Sequence, residues 1–467
     1  MEFQNVRQIA PTTYTFTLTP THVTYANTLR RLMMTGVETV GFRADMTSTG
    51  TTTDVTIREN TTPMTNEMLA HRIGLLPIAV PEPMKWNADR YSFNLSVTGN
   101  RDEPKDIFAS DIVVTESIPT EDEPVRIPTE RFFPPHPITR ETCLIATLYP
   151  GETQKLEFSA KATIGTGREN ARFQPTSQCS YEYTRDPDPE RREELFTKWL
   201  VAAKKVSPDA LDKESEQYQT VLREFNTMEV ARCYLRDDAG EPYSFDFTVE
   251  SVGPLGVEYI VRRACEVGEA MVAKYVNLHT GDLPEDIVVS PSNSRVLGFD
   301  FLIRSHDHTL GNLLQTYLVN NHMGTGGEGK TVITYAGYIV PHPLRDEMLL
   351  RIGVEDGSEK TARKAFAEAC RGCAQIFGQM KMAWMRSLGH EPVGGAGAGA
   401  AAGPTLKLRR KAVTPSARSG AGAGAATGAP SAVNALAQTA QRLAGKPSAV
   451  NTLAATAQRL AEGKADE

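Results

Sequence analysis

The sequence predicts an α+β protein made of two related dimerisation halves that pair intramolecularly, with a mostly β domain inserted in the first half and a disordered C-terminal tail. Two observations lead to this fold class. Segments 25–33 and 309–318 resemble each other although they lie nearly three hundred residues apart, and aligning Asn27 with Asn312 also aligns Leu29 with Leu314. Each half also combines runs of β-forming residues with two amphipathic helical patterns. The chain therefore carries one helix twice, as expected for two members of a pair joined on one polypeptide.

The repeated segment predicts two helices, at about 23–37 and 309–320. Apolar residues recur every three or four positions in both, so each helix has one face that needs a partner. We expect these two faces to meet in an intramolecular pairing interface. Its predicted members are Tyr25, Asn27, Leu29, Leu32, Met33, Leu310, Asn312, Leu313, Leu314, Tyr317 and Leu318.

A longer amphipathic pattern closes each half, at 261–276 and at 362–388. Short runs rich in β-forming residues and bounded by Gly and Pro accompany these helices. They predict strands at 14–18, 245–249, 331–335 and 348–352. Each half is thus expected to contain strands and two helices.

Alternating polar and apolar residues at 53–57 and 142–148, separated by proline-containing turns, predict the β-rich insertion. The resulting domain prediction assigns 1–42 and 169–278 to the first dimerisation half and 43–168 to the inserted domain. It assigns 279–294 to a linker, 295–390 to the second dimerisation half and 391–467 to the tail.

The tail is rich in Gly and Ala, and this composition cannot bury enough apolar surface to offset the entropy of ordering. It contains a basic cluster at 407–411 and a seventeen-residue repeat that starts at Pro430 and again at Pro447. Each repeat could form a short helix, although an isolated helix of this length is marginal. The sequence is compatible with two interpretations of this segment, a solvated low-complexity tail and a docking element.

Composition limits the functional classes. The net charge is −7, and residues from Glu391 onward carry nine Lys or Arg against four Asp or Glu, so the body is strongly acidic. Such a body is expected to meet protein rather than nucleic acid, because phosphate binding relies on clustered cations. The chain shows neither a signal-peptide pattern nor a long apolar run, which predicts that it is neither secreted nor in a membrane. Its six scattered cysteines are typical of free thiols.

Several ordered motifs carry a resemblance to a known family. They are 27–31, 66–77, 173–175 and 247–253 in the first half, and 307–313 and 337–344 in the second. Together they resemble the α-type subunits of cellular DNA-directed RNA polymerases. The first half resembles the larger archaeal and eukaryotic subunit and the second half the smaller one. Fusion of the two on one chain resembles the arrangement in large DNA viruses.

The resemblance implies a non-catalytic assembly platform for transcription, with the active site on other chains. It implies that the paired halves recruit the second-largest and then the largest catalytic subunit, with small polymerase subunits as further partners and one copy per complex. The residues expected to contact the catalytic subunits are Arg30, Arg31, His71 and Arg72; solvated surface charge is the alternative reading of these residues. The implied location is a virion, or the cytoplasm or nucleus of a host cell.

No cofactor and no metal are expected. The larger eukaryotic α-type subunit often has a cysteine-rich zinc loop, but residues 80–140 contain no cysteine. Cys370 and Cys373 supply half a zinc site at most, and buried thiols are the simpler interpretation. The cluster at 306–308 lies where a helix is predicted to begin, so Asp307 is expected to be an N-cap rather than a metal ligand.

Two alternatives compete with the polymerase hypothesis. Residues 324–331 match the letters of a phosphate-binding loop, which would make the chain a nucleotide-binding protein. However, such a loop follows a strand and opens a helix, whereas here a helix is predicted before it and a strand after it. The other alternative is a homodimerising scaffold unrelated to transcription; it is less economical because both complementary halves are already on one chain.

Overall fold

The structure is a computed structural model that describes residues 1–45, 53–118, 123–151, 153–207, 212–324 and 330–389. The tail predictions for 391–467 and the glycine-rich residues 325–329 lie outside the described residues. Within them the chain mixes helices with antiparallel sheets, which confirms the α+β class. None of the described helices combines the length and apolar character needed to cross a membrane.

The strands are β1 (Glu2–Ala10), β2 (Thr13–Thr19), β3 (Glu38–Gly41), β4 (Val55–Asn60), β5 (Tyr91–Thr98), β6 (Lys105–Phe108), β7 (Val113–Glu116), β8 (Val125–Ile127), β9 (Leu144–Leu148), β10 (Lys155–Ala160), β11 (Thr163–Thr166), β12 (Thr176–Tyr183), β13 (Phe245–Ser251), β14 (Ile287–Pro291), β15 (Gly298–Arg304), β16 (Tyr335–Ile339) and β17 (Glu347–Gly353). The α-helices are α1 (Val23–Thr35), α2 (Asn66–Gly74), α3 (Pro189–Trp199), α4 (Glu216–Thr227), α5 (Val257–Ala273), α6 (His308–His322) and α7 (Glu359–Ser387).

The first half is a four-stranded antiparallel sheet in the order β1-β2-β13-β12 with helices α1 and α5. Alternate residues of its central strands point to one face, because successive side chains of a strand lie on opposite sides. Phe16 on β2 pairs in register with Phe247 on β13, and both are buried. This apolar face supports the two helices.

The second half repeats this plan with a sheet in the order β14-β15-β17-β16 and helices α6 and α7. Strand β14 lies inside the predicted linker 279–294, which corrects that part of the prediction. Ile287 of β14 is buried and pairs with Ile303 of β15, so tertiary pairing recruits a segment whose sequence signal is weak.

The strand expected at 331–335 is also misplaced, since β16 begins only at Tyr335. The backbone N–H of Thr331 instead donates to Glu368 Oε2 at 3.0 Å, and that of Ile333 to the His322 carbonyl at 3.0 Å. These contacts with helices α7 and α6 hold the β-forming run outside the sheet ladder.

The segment between β3 and β11 forms a separate hydrophobic core around a five-stranded sheet in the order β4-β10-β5-β7-β8. Strands β6 and β9 form one two-stranded sheet, and β3 and β11 another. Helix α2 packs on this core through Leu69, Ala70 and Ile73. The helix was not expected in a mostly β region, although Thr65 supplies a visible N-cap signal.

Helices α3 and α4 were not expected either. They lie between the neighbouring strands β12 and β13 and pack mainly through aromatic contacts of Phe196, Trp199 and Phe225. The charged composition of α3 hides its periodicity, but Asp188 followed by Pro189 is a helix-start signal, and the Asp188 side chain caps α3. Helix α4 has an apolar stripe at helical spacing that sequence reasoning missed.

Candidate functional site

Helices α1 and α5 of the first half and α6 and α7 of the second contribute to one hydrophobic cluster. All the apolar residues predicted for the pairing interface belong to it and are at most 6% exposed. They are Tyr25, Leu29, Leu32, Met33, Leu310, Leu313, Leu314, Tyr317 and Leu318. The two predicted asparagines lie at its margin and are half-buried. Asn27 accepts a hydrogen bond from Arg30 Nε of its own helix at 3.0 Å.

Polar contacts between α1 and α6 come in a reciprocal pair. Thr24 Oγ1 lies 3.1 Å from Thr316 Oγ1, and Arg31 Nε donates to Thr309 Oγ1 at 2.8 Å. In the alignment of the two segments, Thr24 corresponds to Thr309 and Arg31 to Thr316. Each contact therefore joins the first aligned position of one half to the second aligned position of the other half. The two helices consequently run antiparallel. Such exchange is characteristic of an isologous two-fold interface.

Arg31 makes this interface asymmetric. Its guanidinium also lies 3.2 Å from Asp307 Oδ2, whereas the equivalent position in the second half is Thr316. Asp307 is the N-cap of α6, as predicted, and its Oδ1 accepts from the Thr309 N–H at 2.7 Å. Hydrogen bonds to the carboxylate and the cation of Arg31 keep the pKa of Asp307 low, although burial acts in the opposite direction. Arg31 thus has a partner within the chain that sequence reasoning missed.

Helices α5 and α7 form the other long contact between the halves. Trp384 Nε1 donates to the Glu258 carbonyl at 3.0 Å, and Lys381 Nζ lies 3.3 Å from Glu269 Oε2. Next to the second of these contacts Gly268 faces the Phe377 ring, and a Cβ at position 268 would lie 2.8 Å from the nearest ring atom. The close approach of the two helices requires a residue without a side chain at position 268.

We expect Gly268→Ala to destabilise the chain by about 1–3 kcal/mol, because the added methyl overpacks the contact with Phe377. The matched control is Gly378→Ala on α7, where a Cβ has 3.9 Å to its nearest neighbour. There the higher helix propensity of Ala is expected to stabilise by about 0.5–1 kcal/mol. Urea unfolding of both variants measures the two signs. Equal shifts in the same direction would contradict this packing account.

The residues predicted to contact catalytic subunits occupy two separate elements. Arg30 and Arg31 are on α1, and both are half-buried; Arg30 donates to Asn27 and to the Met34 sulfur. His71 and Arg72 are exposed on α2, and Arg72 donates to the Leu144 carbonyl at 3.1 Å. Their assignment to a partner stays a prediction.

Cys370 and Cys373 lie fully buried on the packed face of α7. Burial raises the pKa of both thiols, which disfavours the thiolate that zinc binds. The described residues hold no group of three or more His, Cys, Asp or Glu arranged as metal ligands.

The described ends of the phosphate-loop match also have structural partners. Lys330 Nζ donates to Asn321 Oδ1 at 3.0 Å, and Thr331 is 9% exposed. Helix α6 precedes this segment and β16 follows it. This is the reverse of the strand-loop-helix order that places phosphate at a helix N-terminus.

Two α+β halves that exchange reciprocal helix contacts around one core define a dimerisation module carried on a single chain. The chain belongs to the RNA polymerase Rpb3/Rpb11 dimerisation domain family, which matches residues 15–270 and, through a second form of the domain, 299–383. It is therefore an α-like subunit with two such domains, as the sequence motifs indicated.

Individual relatives agree with this membership. The chain is 25% identical over 284 residues to DNA-directed RNA polymerase subunit Rpo3 of Methanothermobacter thermautotrophicus, covering 56% of this chain and 93% of the relative. The Rpo3 subunit of Pyrococcus furiosus is 27% identical over 259 residues, covering 54% and 87%. Subunit RPAC1 of DNA-directed RNA polymerases I and III of Saccharomyces cerevisiae is 25% identical over 272 residues, covering 52% and 77%. The chain is a structural polymerase subunit rather than an enzyme.

Proposed function

We propose that this protein is the assembly platform of a multisubunit DNA-directed RNA polymerase. Its two α-like halves pair intramolecularly, and the paired unit recruits the second-largest and then the largest catalytic subunit. One copy serves each complex, together with small polymerase subunits. The observation that carries the proposal is the reciprocal pair of contacts, Thr24 with Thr316 and Arg31 with Thr309, between two dimerisation domains on one chain.

Joining the halves has a physical consequence for assembly. A short connection gives the second half an effective concentration on the order of millimolar around the first. Only residues 274–286 separate the end of α5 from β14. Pairing then needs no search for a separate partner, and the platform is ready for the catalytic subunits as soon as the chain has folded.

Exposed apolar side chains next to the predicted basic contacts support recruitment by α2. Met68 is 61% exposed and Leu75 is 55% exposed, and they flank His71 and Arg72 along the helix. Large apolar side chains clustered on a surface and rimmed by polar groups are typical of protein interaction sites. We propose that α2 and the Arg30-Arg31 pair of α1 contact the catalytic subunits.

The test of the proposal is affinity purification of the tagged full-length chain from its natural setting, with identification of the proteins that co-purify. We expect both of the two largest polymerase subunits in amounts equal to the tagged chain. Their absence would refute the platform role. Nucleotide binding by the purified chain that disappears in Lys330→Ala would favour the phosphate-loop alternative instead.

Arg31→Ala tests whether Arg31 contacts a catalytic subunit or serves only the ion pair with Asp307 within the chain. Its ion pair with Asp307 is more than one-third exposed on both sides, and such pairs contribute no more than about 1 kcal/mol. We therefore expect a small change in melting but a large loss of co-purifying catalytic subunit. Asp307→Asn is the control, because it removes the same ion pair and leaves Arg31 available. If Asp307→Asn lost the subunit to the same extent, Arg31 would act through the pairing of the halves.

Oligomeric state tests the single-copy proposal. Size-exclusion chromatography with light scattering is expected to give a monomer, because each half already has its partner. An obligate dimer would support the homodimerising alternative. We also propose the predicted domain boundaries, with the second half extended to include β14. The fused arrangement supports a further proposal, a viral source with transcription in a virion, the cytoplasm or the nucleus.

A further inference from the structure

A cavity of about 340 Å³ opens on the inserted domain. Three aromatic side chains line it, Trp86, Tyr91 and Phe132, together with the cations Lys85, Arg90 and Arg131 and one carboxylate, that of Glu82. No residue of α1, α5, α6 or α7 lines it, so the pairing of the halves leaves this cavity unused. Its size and mixed lining are those of a ligand site rather than a packing defect.

The aromatic wall is held in place. The Trp86 and Tyr91 rings are stacked with centroids 4.5 Å apart and planes 12° apart. Phe132 meets Trp86 at 5.9 Å and Tyr91 at 5.5 Å, edge to face in both cases. The Trp86 indole N–H donates to the Ala162 carbonyl at 2.8 Å. Because its donor is already used inside the domain, the half-buried indole offers the cavity an apolar surface.

The cations of the cavity differ in their partners. Lys85 pairs with Glu82 at 2.8 Å, and Arg90 pairs at 2.5 Å with Glu116, which is buried. Arg131 has no carboxylate within 4.0 Å in the part of the chain that the structure describes, and its guanidinium lies 5.5 Å from the centroid of Phe132. Among the described residues, the one carboxylate that lines the cavity pairs with Lys85, and the cavity therefore combines an apolar aromatic wall with one cation, Arg131, that has no carboxylate partner there.

The aromatic wall and the single cation left unpaired among the described residues favour one class of ligand over others. Nucleic acids and polyphosphates carry several charges and need clustered cations, whereas the cavity has one uncommitted cation. A single guanidinium matches a single carboxylate in a bidentate pair. An apolar or aromatic side chain beside that carboxylate matches the Trp86 surface. The chemistry is that of a short acidic peptide.

We propose that this cavity binds an acidic peptide segment of a partner protein. An Asp or Glu carboxylate of the segment pairs with Arg131, and a neighbouring apolar side chain packs on Trp86. No residue of α1 or α2 lines the cavity, so the site adds a contact distinct from those proposed for these two helices. Its occupant is an extended segment, because the cavity accepts side chains and not a folded surface.

Fluorine NMR of the full chain labelled with 5-fluorotryptophan tests this site. The chain has only three tryptophans, and Trp86→Phe assigns the resonance of position 86. The probe is the tripeptide N-acetyl-Phe-Glu-Glu-amide at millimolar concentrations. We expect saturable movement of the Trp86 resonance, while those of Trp199 and Trp384 stay in place. The analogue with Gln in place of both Glu residues should bind about tenfold more weakly, since it loses a charge-assisted pair.

Charge reversal supplies the matched variants. Arg131→Glu should abolish binding of the acidic probe, and Arg131→Gln, which keeps a polar side chain without the charge, should weaken it to the level of the Gln analogue. Arg126→Glu on β8 makes the same change of charge at an exposed position that does not line the cavity, and should bind like the wild type. Melting curves of all three check that the domain stays folded.

The proposal is overturned if the Trp86 resonance does not move, if acidic and neutral probes bind equally, or if Arg126→Glu weakens binding as much as Arg131→Glu. Tighter binding of uridine monophosphate than of the tripeptide would assign the cavity to a nucleotide instead. Both probes are free in solution, so none of these outcomes depends on recruitment of catalytic subunits.

Discussion

Leu314→Asp is expected to prevent stable folding of the body of the chain. Leu314 on α6 is fully buried in the cluster shared by the four helices. The substitution removes a buried side chain, which costs about 3–5 kcal/mol for Leu→Ala in a core, and it also places a carboxylate where nothing solvates it. A total loss above about 5 kcal/mol is comparable with the stability of a whole domain. Leu29→Asp on α1 is expected to have the same effect for the same reason.

Urea unfolding followed by circular dichroism, together with soluble yield, measures this loss. Val319→Asp is the control, since Val319 is on the same helix but is 38% exposed, and surface changes usually stay within about 0.5 kcal/mol. The pH dependence has a defined sign. Burial raises the folded-state pKa of the new carboxyl above its unfolded value, so the defect is full above the folded pKa and shrinks as the pH falls from there toward the unfolded pKa. Wild-type melting of Leu314→Asp would refute the assigned interface.

Trp384→Ala should cost about 3–5 kcal/mol, the range for deleting a large aromatic side chain from a core. Trp384 on α7 is fully buried and packs against two rings of the first half, Phe3 at 5.1 Å and Phe16 at 5.2 Å between centroids. The substitution therefore removes contacts that join the two halves rather than contacts within one of them. Chemical denaturation at several temperatures measures the loss.

Two further variants separate the contributions of Trp384. Trp384→Phe keeps most of the ring packing and removes the N–H that bonds the Glu258 carbonyl, so we expect a smaller loss of about 1–2 kcal/mol. Trp199→Ala changes a half-buried tryptophan of the α3 and α4 pair, where local contacts dominate, and should leave unfolding of the shared core unchanged. A core transition shifted equally by Trp199→Ala and Trp384→Ala would argue against this assignment.

The repeated helix shows how far local pattern carries a prediction. The spacing of Leu29 and Leu32 on one segment and of Leu310 and Leu314 on the other indicated two apolar faces, and all four residues are buried. The fold class and the family resemblance followed from such patterns and from ordered motifs, and the structure and the comparisons confirm both. The contact with catalytic subunits has no such support within a single chain, and it remains a prediction.

Particular residues mark where the local pattern failed. Strand β14 was read as linker because its five residues have little periodicity, and its pairing with β15 depends on a ladder formed elsewhere. Helix α3 is mostly charged and buries little, so its apolar stripe is weak. Helix α4 does have an apolar stripe that sequence reasoning overlooked, formed by Tyr218, Val221, Leu222 and Phe225. The β-forming run at 331–335 lies mostly outside the sheet because its backbone forms hydrogen bonds to Glu368 of α7 and His322 of α6. Both partners belong to other elements, so the local pattern of 331–335 does not indicate these contacts.

Amphipathic period, helix caps and motif order are local properties of a sequence. The two repeated helices, the N-cap at Asp307 and the membership of the α-like family could therefore be predicted from the sequence alone. Contacts between distant segments are different, because they depend on which surfaces folding brings within a few ångströms. Arg31 was expected to face another subunit, yet it bonds Thr309 and Asp307 of the second half. The aromatic cavity beside Arg131 likewise arises only when residues 79–91 fold against 131–132. Hydrogen bonds and ion pairs act over about 3–4 Å, and no spacing along the sequence encodes such a distance.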